Sequence, residues 1–426
     1  MGAGMRSAIA ATAVLWCAVA HGVWAADIVE QIVARVGERP CRYAEMVSRL
    51  AALRPTGRVS LISLGRSVEG RDILCAAVHD PATVFGQGAR LMVIARQHGN
   101  ETSGTEAALA LVEHFARSTG SLERDTLRYL TIVAVPMANP DGAERGERRN
   151  ARGVDLNRDW ASQSQPETQA IARAVKAWKP HALLDLHELP QSSPKPAYAE
   201  NFVETIGGGR AIPAALSDRT IATAAEMARW MRTYGYPASF YYDGPEDNRA
   251  LCHRWFGLQH GIPSFLVEVK TGSGRSLRFR AAVHVLSMLV VANQLIHSVD
   301  VPAPAARAAQ ATPPESGFRT QPRPARRTQP VTVKLAVDAA GGGAPEAGIS
   351  VEALVSGGEE GQYVRFYVDG CLRVMSNVAP YTCRLDPATM PPGPHRVRVE
   401  VMDDAGSVSA FAERTVDLDE TLVAGP

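Results

Sequence analysis

One segment divides the chain and constrains its fold more than any other feature. Residues 301–330 read VPAPAARAAQATPPESGFRTQPRPARRTQP, a run rich in Pro, Ala and Arg that has no apolar period. This composition is typical of an extended, semi-rigid linker. Its arginines (Arg307, Arg319, Arg323, Arg326 and Arg327) either contact an acidic envelope surface or only keep the linker solvated. We therefore expect the 426 residues to fold as two units on either side of it.

After the linker, apolar residues recur at every second position. Three runs show the pattern: Val331, Val333, Leu335 and Val337; Val364, Phe366 and Val368; Val397, Val399 and Val401. Turn residues separate these runs, which predicts a smaller all-β sandwich over residues 331–420. The stretches VRFYVDG, APYTCRLD and HRVRVEVMDDAG also resemble the immunoglobulin-like modules appended to many secreted bacterial enzymes. Such a module could contact the envelope surface.

Before the linker, the pattern is α/β. Strand-like apolar runs (Leu91 to Ala95, Leu130 to Pro136, Ala182 to Leu186, Ser264 to Val269) alternate with helical patterns such as TEAALALVEHFARS, ETQAIARAVKAW and DRTIATAAEMARWMRTYG. The stretch FRAAVHVLSMLVVANQLIHS is apolar enough to suggest a membrane span. Because it contains His284 and Asn293, we expect it to pack on the sheet, without stable membrane insertion.

The N-terminus has the features of a secretory signal peptide. Arg6 precedes the apolar run AIAATAVLWCAVA, and Val23-Trp24-Ala25 forms a small-residue cleavage pattern. We predict that residues 1–25 are removed and that residues 26–300, the catalytic domain, are secreted or periplasmic. A membrane anchor is the alternative, but the apolar run is shorter than the roughly 20 residues that span a bilayer.

Export and charge set further limits. An exported chain can form disulfides, and Cys371 with Cys383 is the best candidate pair among the five remaining cysteines. The formal net charge is +1, so no global field indicates nucleic acid as a partner.

Polar residues of metal-binding type follow two of the predicted strands. His98 and Glu101 come after the strand LMVIA, and His187 follows ALLDL. Open α/β sheets bind ligands just outside the carboxyl ends of their strands. Two imidazoles and one carboxylate are a common set of ligands for catalytic zinc. A single HxxE pair often arises by chance, so the second histidine carries most of the argument.

A glutamate and several arginines complete the candidate site. Glu268 lies inside the apolar strand IPSFLVEVKTG, where it either pairs with Lys270 or acts as a general base. The segment NPDGAERGERRNARGVDLNRDW carries five arginines between turn-like sequences. The alternative interpretation is an ordinary surface segment, in which a run of charged residues is common.

Together these motifs resemble the zinc carboxypeptidases of the carboxypeptidase A type. The resemblance spans roughly residues 40–298 and runs through SLGRSVEGRDIL, QHGNE, NPDG, RRNARGVDLNR and the glutamate strand. It implies a mixed twisted sheet flanked by helices and one Zn²⁺ per chain. By the resemblance, His98, Glu101 and His187 are the zinc ligands and Glu268 is the general base.

The resemblance also implies substrate-binding residues. Arg148 would stabilise the oxyanion, and Asn157 with Arg158 would bind the terminal carboxylate of a peptide. Arg254 lies near the position that sets end-residue preference, where it would favour acidic residues; a one-residue gap would put His253 or Trp255 there instead. A substrate-capping tyrosine has no clear counterpart, although Tyr241 and Tyr242 lie in the right region.

The implied activity is a zinc-dependent metallocarboxypeptidase that acts on a peptide or cell-wall peptide. Two alternatives remain open, one enzymatic and one non-catalytic. The same residues could serve a peptidoglycan stem-peptide amidase or a deacylase, or the chain could bind peptides without cleaving them. The intact set of ligands, base and arginines argues against a non-catalytic protein.

Overall fold

The computed structural model of the protein describes most of the chain. It covers residues 23–297 and 330–418, except 82, 84–87, 192–199, 207–211, 244–248, 273, 340–348, 358–362, 377–378, 386–389 and 403–407. The predicted linker, except for Pro330, and the predicted signal peptide, except for residues 23–25, lie outside the described residues.

An eight-stranded mixed sheet forms the centre of the larger unit. The strands are β1 (Val59–Arg66), β2 (Asp72–Val78), β3 (Ala89–Ala95), β4 (Leu130–Val135), β5 (Ala182–Leu189), β6 (Asn201–Ile206), β7 (Ala238–Asp243) and β8 (Ser264–Lys270). Their order in the sheet is β1-β2-β4-β3-β5-β8-β6-β7. The inner strands β4, β3, β5 and β8 run parallel, whereas β1, β2 and β6 pair antiparallel to their inner neighbours. The mixed sheet confirms the predicted fold class.

Helices cover both faces of this sheet. They are α1 (Val23–Val33), α2 (Tyr43–Ala51), α3 (Ser103–Arg117), α4 (Ser121–Tyr129), α5 (Pro140–Arg145), α6 (Pro166–Trp178), α7 (Ala214–Thr233), α8 (Cys252–His260) and α9 (Leu277–His297), with short 3-10 turns at Arg54–Thr56 and Leu156–Arg158. Successive strand residues point to opposite faces. Leu91 and Val93 therefore join the core formed with α1–α3, α7 and α9, while Met92 and Ile94 join the core formed with α6 and α8.

Helix α9 is the apolar segment that was predicted from the sequence to pack on the sheet. It is long and apolar enough to cross a membrane by composition, but two thirds of its most apolar window is buried in the protein. Val283, Val285 and Met288 are inaccessible to solvent and belong to the core shared with α3 and α7. The prediction of a core helix is confirmed.

The C-terminal unit is a sandwich of two antiparallel sheets, as predicted. Its strands are β9 (Thr332–Ala339), β10 (Ile349–Ser356), β11 (Tyr363–Val368), β12 (Cys371–Ser376), β13 (Tyr381–Leu385), β14 (Gly393–Met402) and β15 (Val408–Leu418). One sheet has the order β13-β10-β9 and the other β12-β11-β14-β15. The alternating residues Val364, Phe366, Val397 and Val399 all lie in the core between the sheets.

The sandwich packs against the edge strand β1 of the larger sheet. Ser376 Oγ donates a hydrogen bond to the Leu61 carbonyl at 2.7 Å, and Arg54 Nη1 donates to the Pro380 carbonyl at 2.8 Å. Met402 of the sandwich is buried in the same core as Ile62 of β1. An exposed edge strand can pair with other chains, so this contact protects the sheet.

The disulfide predicted between Cys371 and Cys383 is not formed, because Cys383 is a free thiol. Cys41, Cys75, Cys252 and Cys383 are all buried free thiols. Cys383 lies on β13 opposite Val351 and packs in the sandwich core. The side chain of Cys371 lies outside the described residues, but Cys383 forms no disulfide.

Candidate metal centre and active site

The first two predicted ligands lie on a tight loop at the carboxyl end of β3. Arg96 adopts a left-handed conformation (φ 60°) that turns the chain out of the strand. Its guanidinium is buried and donates from Nε to the Gly99 carbonyl at 3.0 Å and from Nη1 to the Cys41 carbonyl at 3.1 Å. Gly99 has no room for a side chain, because a Cβ there would overlap the backbone of Gly142. The loop is therefore held rigidly from both sides.

This loop brings His98 and Glu101 together with His187 of β5. Glu101 Oε1 lies 2.7 Å from His98 Nδ1, and Glu101 Oε2 lies 2.8 Å from His187 Nδ1. The two Nδ1 atoms are 3.1 Å apart. One ligand atom from each residue lies within 4.8 Å of the others, and all three residues are buried. The predicted triad is thus brought to a single point.

The opposite nitrogen of each imidazole faces a carboxylate. His98 Nε2 is 2.9 Å from Asp155 Oδ1, and His187 Nε2 is 2.9 Å from Asp185 Oδ1. These contacts favour N–H groups at Nε2, which leaves both Nδ1 lone pairs facing each other and the Glu101 carboxylate. Three electron-pair donors at this spacing repel one another unless a cation lies between them. The donor set therefore fits a zinc ion.

The pKa values of Glu101 and His187 agree with a site that stabilises positive charge. Burial opposes ionisation of Glu101, but His187 and His98 hold the pKa of its carboxyl well below the usual range. Burial likewise opposes protonation of His187, yet Asp185 and Glu101 raise the pKa of its imidazole well above the usual value. The surrounding carboxylates thus stabilise a cation at this position, whether a proton or a metal ion.

Glu188, the residue after His187, supports the loop from the other face of the sheet. Its carboxylate accepts the backbone N–H groups of Thr102 at 2.8 Å and Ser103 at 3.3 Å, and the Arg280 Nε–H at 2.7 Å. The first N–H groups of a helix lack partners within the helix, so Glu188 caps α3. Its own backbone N–H donates to Glu101 Oε2 at 3.0 Å. Glu188 therefore positions a candidate ligand without facing the metal.

Glu268 lies beside His187 on the neighbouring strand. The register pairs His187 with Glu268, and Glu268 with Phe202 across the next strand, so these side chains lie on the same face. Lys270 donates from Nζ to the carbonyls of Pro190 and Gln191 and forms no ion pair with Glu268. Within the described residues, the buried Glu268 Oε2 atom has no hydrogen-bond partner. Glu268 is therefore available for chemistry beside the triad.

The pKa of Glu268 fits a proton-transfer group. Burial raises the pKa of its carboxyl from 4.5 to about 8, while the positive charge of His187 acts in the opposite direction. A carboxyl with a pKa near neutral can both take and return a proton at physiological pH.

Arg148 lies next to the triad with its side chain 44% exposed. Its Nη1 donates to Glu101 Oε1 at 3.1 Å, and its Nε and Nη2 contact Asp155 Oδ2 at 3.2 and 3.1 Å. Three of the five guanidinium N–H groups are used in this way. The other two remain for a substrate oxygen, so the predicted role of Arg148 is geometrically accessible and stays a prediction.

Asn157 and Arg158 lie on the 3-10 turn that follows Asp155. Asn157 is buried: its Nδ2 lies 3.1 Å from His187 Nε2, and its Oδ1 accepts the Cys252 backbone N–H at 2.8 Å. Arg158 is exposed and uses one N–H on the Asn157 carbonyl. Asn157 thus lies between His187 and α8, whereas Arg158 has further N–H groups that bind no described residue and could bind a carboxylate. Carboxylate binding by this pair stays a prediction.

Arg254, the predicted specificity residue, is buried in an ion pair. Its Nη2 and Nε donate to Glu204 Oε1 at 2.6 and 3.1 Å, and His253 Nε2 lies 3.2 Å from the same oxygen. Glu204 shares a sheet face with Glu268, because Glu204 pairs with Leu266. Of the two tyrosines, Tyr241 packs edge-on against Phe202 and Tyr242 is half exposed.

Four carboxylates that support the site were not predicted from the sequence: Asp155, Asp185, Glu188 and Glu204. A usable signal existed for Asp185, because it precedes His187 by two residues in the apolar run ALLDLHEL and must share its face. Asp155 lies in the GVDLNR motif but was not assigned a role. Glu188 and Glu204 depend on partners far away in sequence, which no local pattern identifies.

Comparison with known proteins agrees with the fold. The sequence profile of the zinc carboxypeptidase family matches residues 44–201. The chain is 34% identical to Carboxypeptidase D from Mus musculus over 137 residues, which is 28% of this chain and 10% of that protein. It is 24% identical to the Carboxypeptidase N catalytic chain from Homo sapiens over 289 residues, 55% of this chain and 61% of that one. The chain thus spans less than two thirds of either relative.

A solved structure has the same fold. The metallo-carboxypeptidase from Burkholderia cenocepacia superimposes with a TM-score of 0.51 at 22% identity, covering 59% of this chain and 69% of that one. His98, Glu101 and His187, which converge in the structure, lie within the matched range of residues 44–201. Residues 44–201 of the larger unit therefore match the zinc carboxypeptidase family, and the larger unit as a whole has the fold of a metallo-carboxypeptidase.

Proposed function

We propose that the chain is a zinc-dependent carboxypeptidase that hydrolyses the last amide bond of a peptide. The observation that carries the proposal is the position of Glu268. One of its carboxylate oxygens is buried, has no hydrogen-bond partner among the described residues, and lies in register with His187 beside the three candidate ligands. A zinc ion held by His98, Glu101 and His187 would supply a Lewis acid and an acidified water.

The residues around the triad have separate roles in this reaction. Glu268 accepts a proton from the attacking water at its free Oε2 and returns it to the leaving nitrogen. The two unused N–H groups of Arg148 stabilise the negative charge that develops on the carbonyl oxygen. The exposed Arg158 binds the terminal carboxylate by charge-assisted hydrogen bonds, which selects chain ends.

The primary test is the substitution Glu268→Gln, with zinc content and peptide hydrolysis measured on the same preparation. We expect kcat to fall by about 10²–10⁴-fold while one zinc per chain is retained. Glu226→Gln is a matched control, because Glu226 is a surface residue of α7 paired with Arg229. A zinc-loaded wild-type protein that cleaves no peptide, amide or wall fragment would show that the protein is not an enzyme of this type.

Arg158→Ala tests the end specificity. The variant should lose most of its preference for a free C-terminal carboxylate over a C-terminal amide, since the cation that binds the carboxylate is removed. Products from a mixed library of peptides and wall fragments, identified by mass spectrometry, separate protein trimming from stem-peptide cleavage. Equal cleavage of free and amidated ends by the wild type would favour the amidase or deacylase alternative.

We also propose that the protein is exported. Cleavage after Ala25 would remove only the first three residues of α1 and leave its buried residues Val29 and Ile32 in the core. N-terminal sequencing of the protein recovered outside the cytoplasm should begin at Ala26. An intact N-terminus on active protein would contradict the proposed processing.

A further inference from the structure

A cavity lies at the end of the sheet opposite the candidate active site. It has a volume of about 430 Å³ and is bordered by the residues that immediately precede β5 and β8, such as His181 and Pro263. The triad and Glu268 lie toward the carboxyl ends of these strands. The cavity is therefore separate from the catalytic site, and it is large enough for a small organic ligand.

Five basic or imidazole side chains line this cavity: Lys176, Lys179, His181, Arg219 and His260. They come from α6, the turn after it, α7 and α8. These three helices are distant from one another in the sequence, and folding brings the side chains together. None of the lining residues in the described part of the chain is Asp or Glu. Lys176, Lys179 and Arg219 also form no ion pair with any described residue. Uncompensated cations around a concavity favour a negatively charged ligand.

Helix capping does not account for these cations. The carboxyl end of α6 is already satisfied, because Arg90 Nε donates to the Trp178 carbonyl at 2.7 Å and the Lys179 N–H donates to the Val175 carbonyl at 2.9 Å. At the end of α8, backbone N–H groups of Gly261 and Ile262 close the helix. Arg219 lies near the amino end of α7, where the helix dipole gives a cation no advantage.

The two histidines are affected by the surrounding positive charge. Burial, followed by Arg90 and Arg219, lowers the pKa of His181. Burial, followed by Lys176, lowers the pKa of His260. His181 Nδ1 accepts the Arg90 backbone N–H at 3.0 Å, so the neutral ring carries its proton on Nε2 as a hydrogen-bond donor.

The remaining wall of the cavity is apolar. Val175, Phe256, Ile262, Pro263 and Leu295 contribute to it. A ligand that uses the whole cavity therefore combines an apolar body with a group that carries more than one negative charge. We propose that this cavity binds a phosphate ester on an apolar body, held by Lys176, Lys179 and Arg219.

Calorimetric titration of the full chain with phenyl phosphate tests the site. The wild type should bind phenyl phosphate more tightly than inorganic phosphate, because the phenyl ring buries against the apolar wall. Arg219→Ala and Lys179→Ala should each weaken binding about tenfold, the effect of losing one charge-assisted contact. Arg229→Ala is the matched control on the same helix, because Arg229 is exposed and paired with Glu226; it should bind as the wild type does.

A second experiment distinguishes a lipid phosphate from a soluble phosphate ester as the ligand. Vesicles of phosphatidylglycerol that retain the wild type but not Arg219→Ala, with no retention on phosphatidylcholine, identify a lipid phosphate. Phenyl phosphate binding without vesicle binding identifies a soluble ester. The proposal is overturned if millimolar phenyl phosphate does not bind to the wild type, or if binding is unchanged in both Arg219→Ala and Lys179→Ala.

Discussion

Asp185 and His187 lie two residues apart on one face of β5, and the His187 Nε2–H donates to Asp185 Oδ1 at 2.9 Å. Asp185 is fully buried, and its Oδ1 also accepts the Gln97 Nε2–H at 2.5 Å. The pair fixes both the orientation and the protonated nitrogen of a candidate zinc ligand. A carboxylate in this position usually strengthens metal binding through the imidazole.

The first prediction concerns Asp185→Asn. The amide has nearly the same shape as the carboxylate but removes the negative charge that supports His187, so zinc affinity should fall by about 10–100-fold. Competition with a chromophoric chelator measures this change. Asp218→Asn, on the exposed surface of α7, should leave the affinity unchanged. Equal zinc affinity of Asp185→Asn and wild type would show that the carboxylate does not support the ligand.

The convergence of the candidate metal ligands could be predicted from sequence, because each ligand lies at the end of a recognisable apolar strand. His98 and Glu101 occur after LMVIA and His187 within ALLDLHEL, and the ends of parallel strands meet at one edge of a sheet. The parallel strands and the long helices were predicted for the same reason: their apolar periods are strong. Strands β1, β2, β6 and β7, outside this parallel core, were not predicted.

The supporting contacts could not be predicted because they join distant parts of the chain. Arg280 is 92 residues from Glu188, and Arg254 is 50 residues from Glu204. A charged side chain needs a partner when folding buries it. The sequence alone does not identify which residue that partner is. Arg254 was predicted to favour acidic end residues, but its ion pair with Glu204 also determines how much positive charge it presents to a substrate.

The second prediction is a pH dependence of the stability of the zinc-free protein. Burial raises the pKa of Glu268 in the folded state to about 8, against 4.5 when unfolded. Between these values the folded state binds more protons, so this group lowers the free energy of unfolding as pH rises from about 5 to about 8. Glu268→Gln lacks this contribution. Its stability relative to wild type, measured by urea unfolding, should increase over that range; a constant difference would contradict the raised pKa.

The third prediction concerns Arg280→Ala. Glu188 has a side chain that is only 5% exposed, and Arg280 is its ion-pair partner across the interface between β5 and α9. Removing one partner of a buried pair leaves an uncompensated charge, so the variant should lose about 3 kcal/mol of unfolding free energy. Arg229→Ala, which breaks an exposed pair, should lose less than about 1 kcal/mol. A similar small loss in both variants would mean that the α3 N–H groups alone stabilise Glu188.

The fourth prediction tests whether Arg254 reads the end residue of a substrate. In the wild type its guanidinium is neutralised by Glu204. Glu204→Gln removes that carboxylate and frees the positive charge, so kcat/KM for peptides ending in Asp or Glu should rise about tenfold relative to peptides ending in Ala. The double variant Glu204→Gln with Arg254→Ala should lose this gain. If the ratio of the two kcat/KM values is the same in wild type and Glu204→Gln, Arg254 does not contact the substrate.

The fifth prediction is that the sandwich and the larger sheet unfold together. Met402 is 4% exposed and shares a core with Ile62 of the edge strand β1. Met402→Asp would bury a charge in this contact, which costs several kcal/mol unless the two units separate. Calorimetry of the wild type should give one transition, and the variant should give two. Phe411→Asp, at the exposed strand β15, is the control and should retain one transition. Two transitions in the wild type would show that the units are energetically independent.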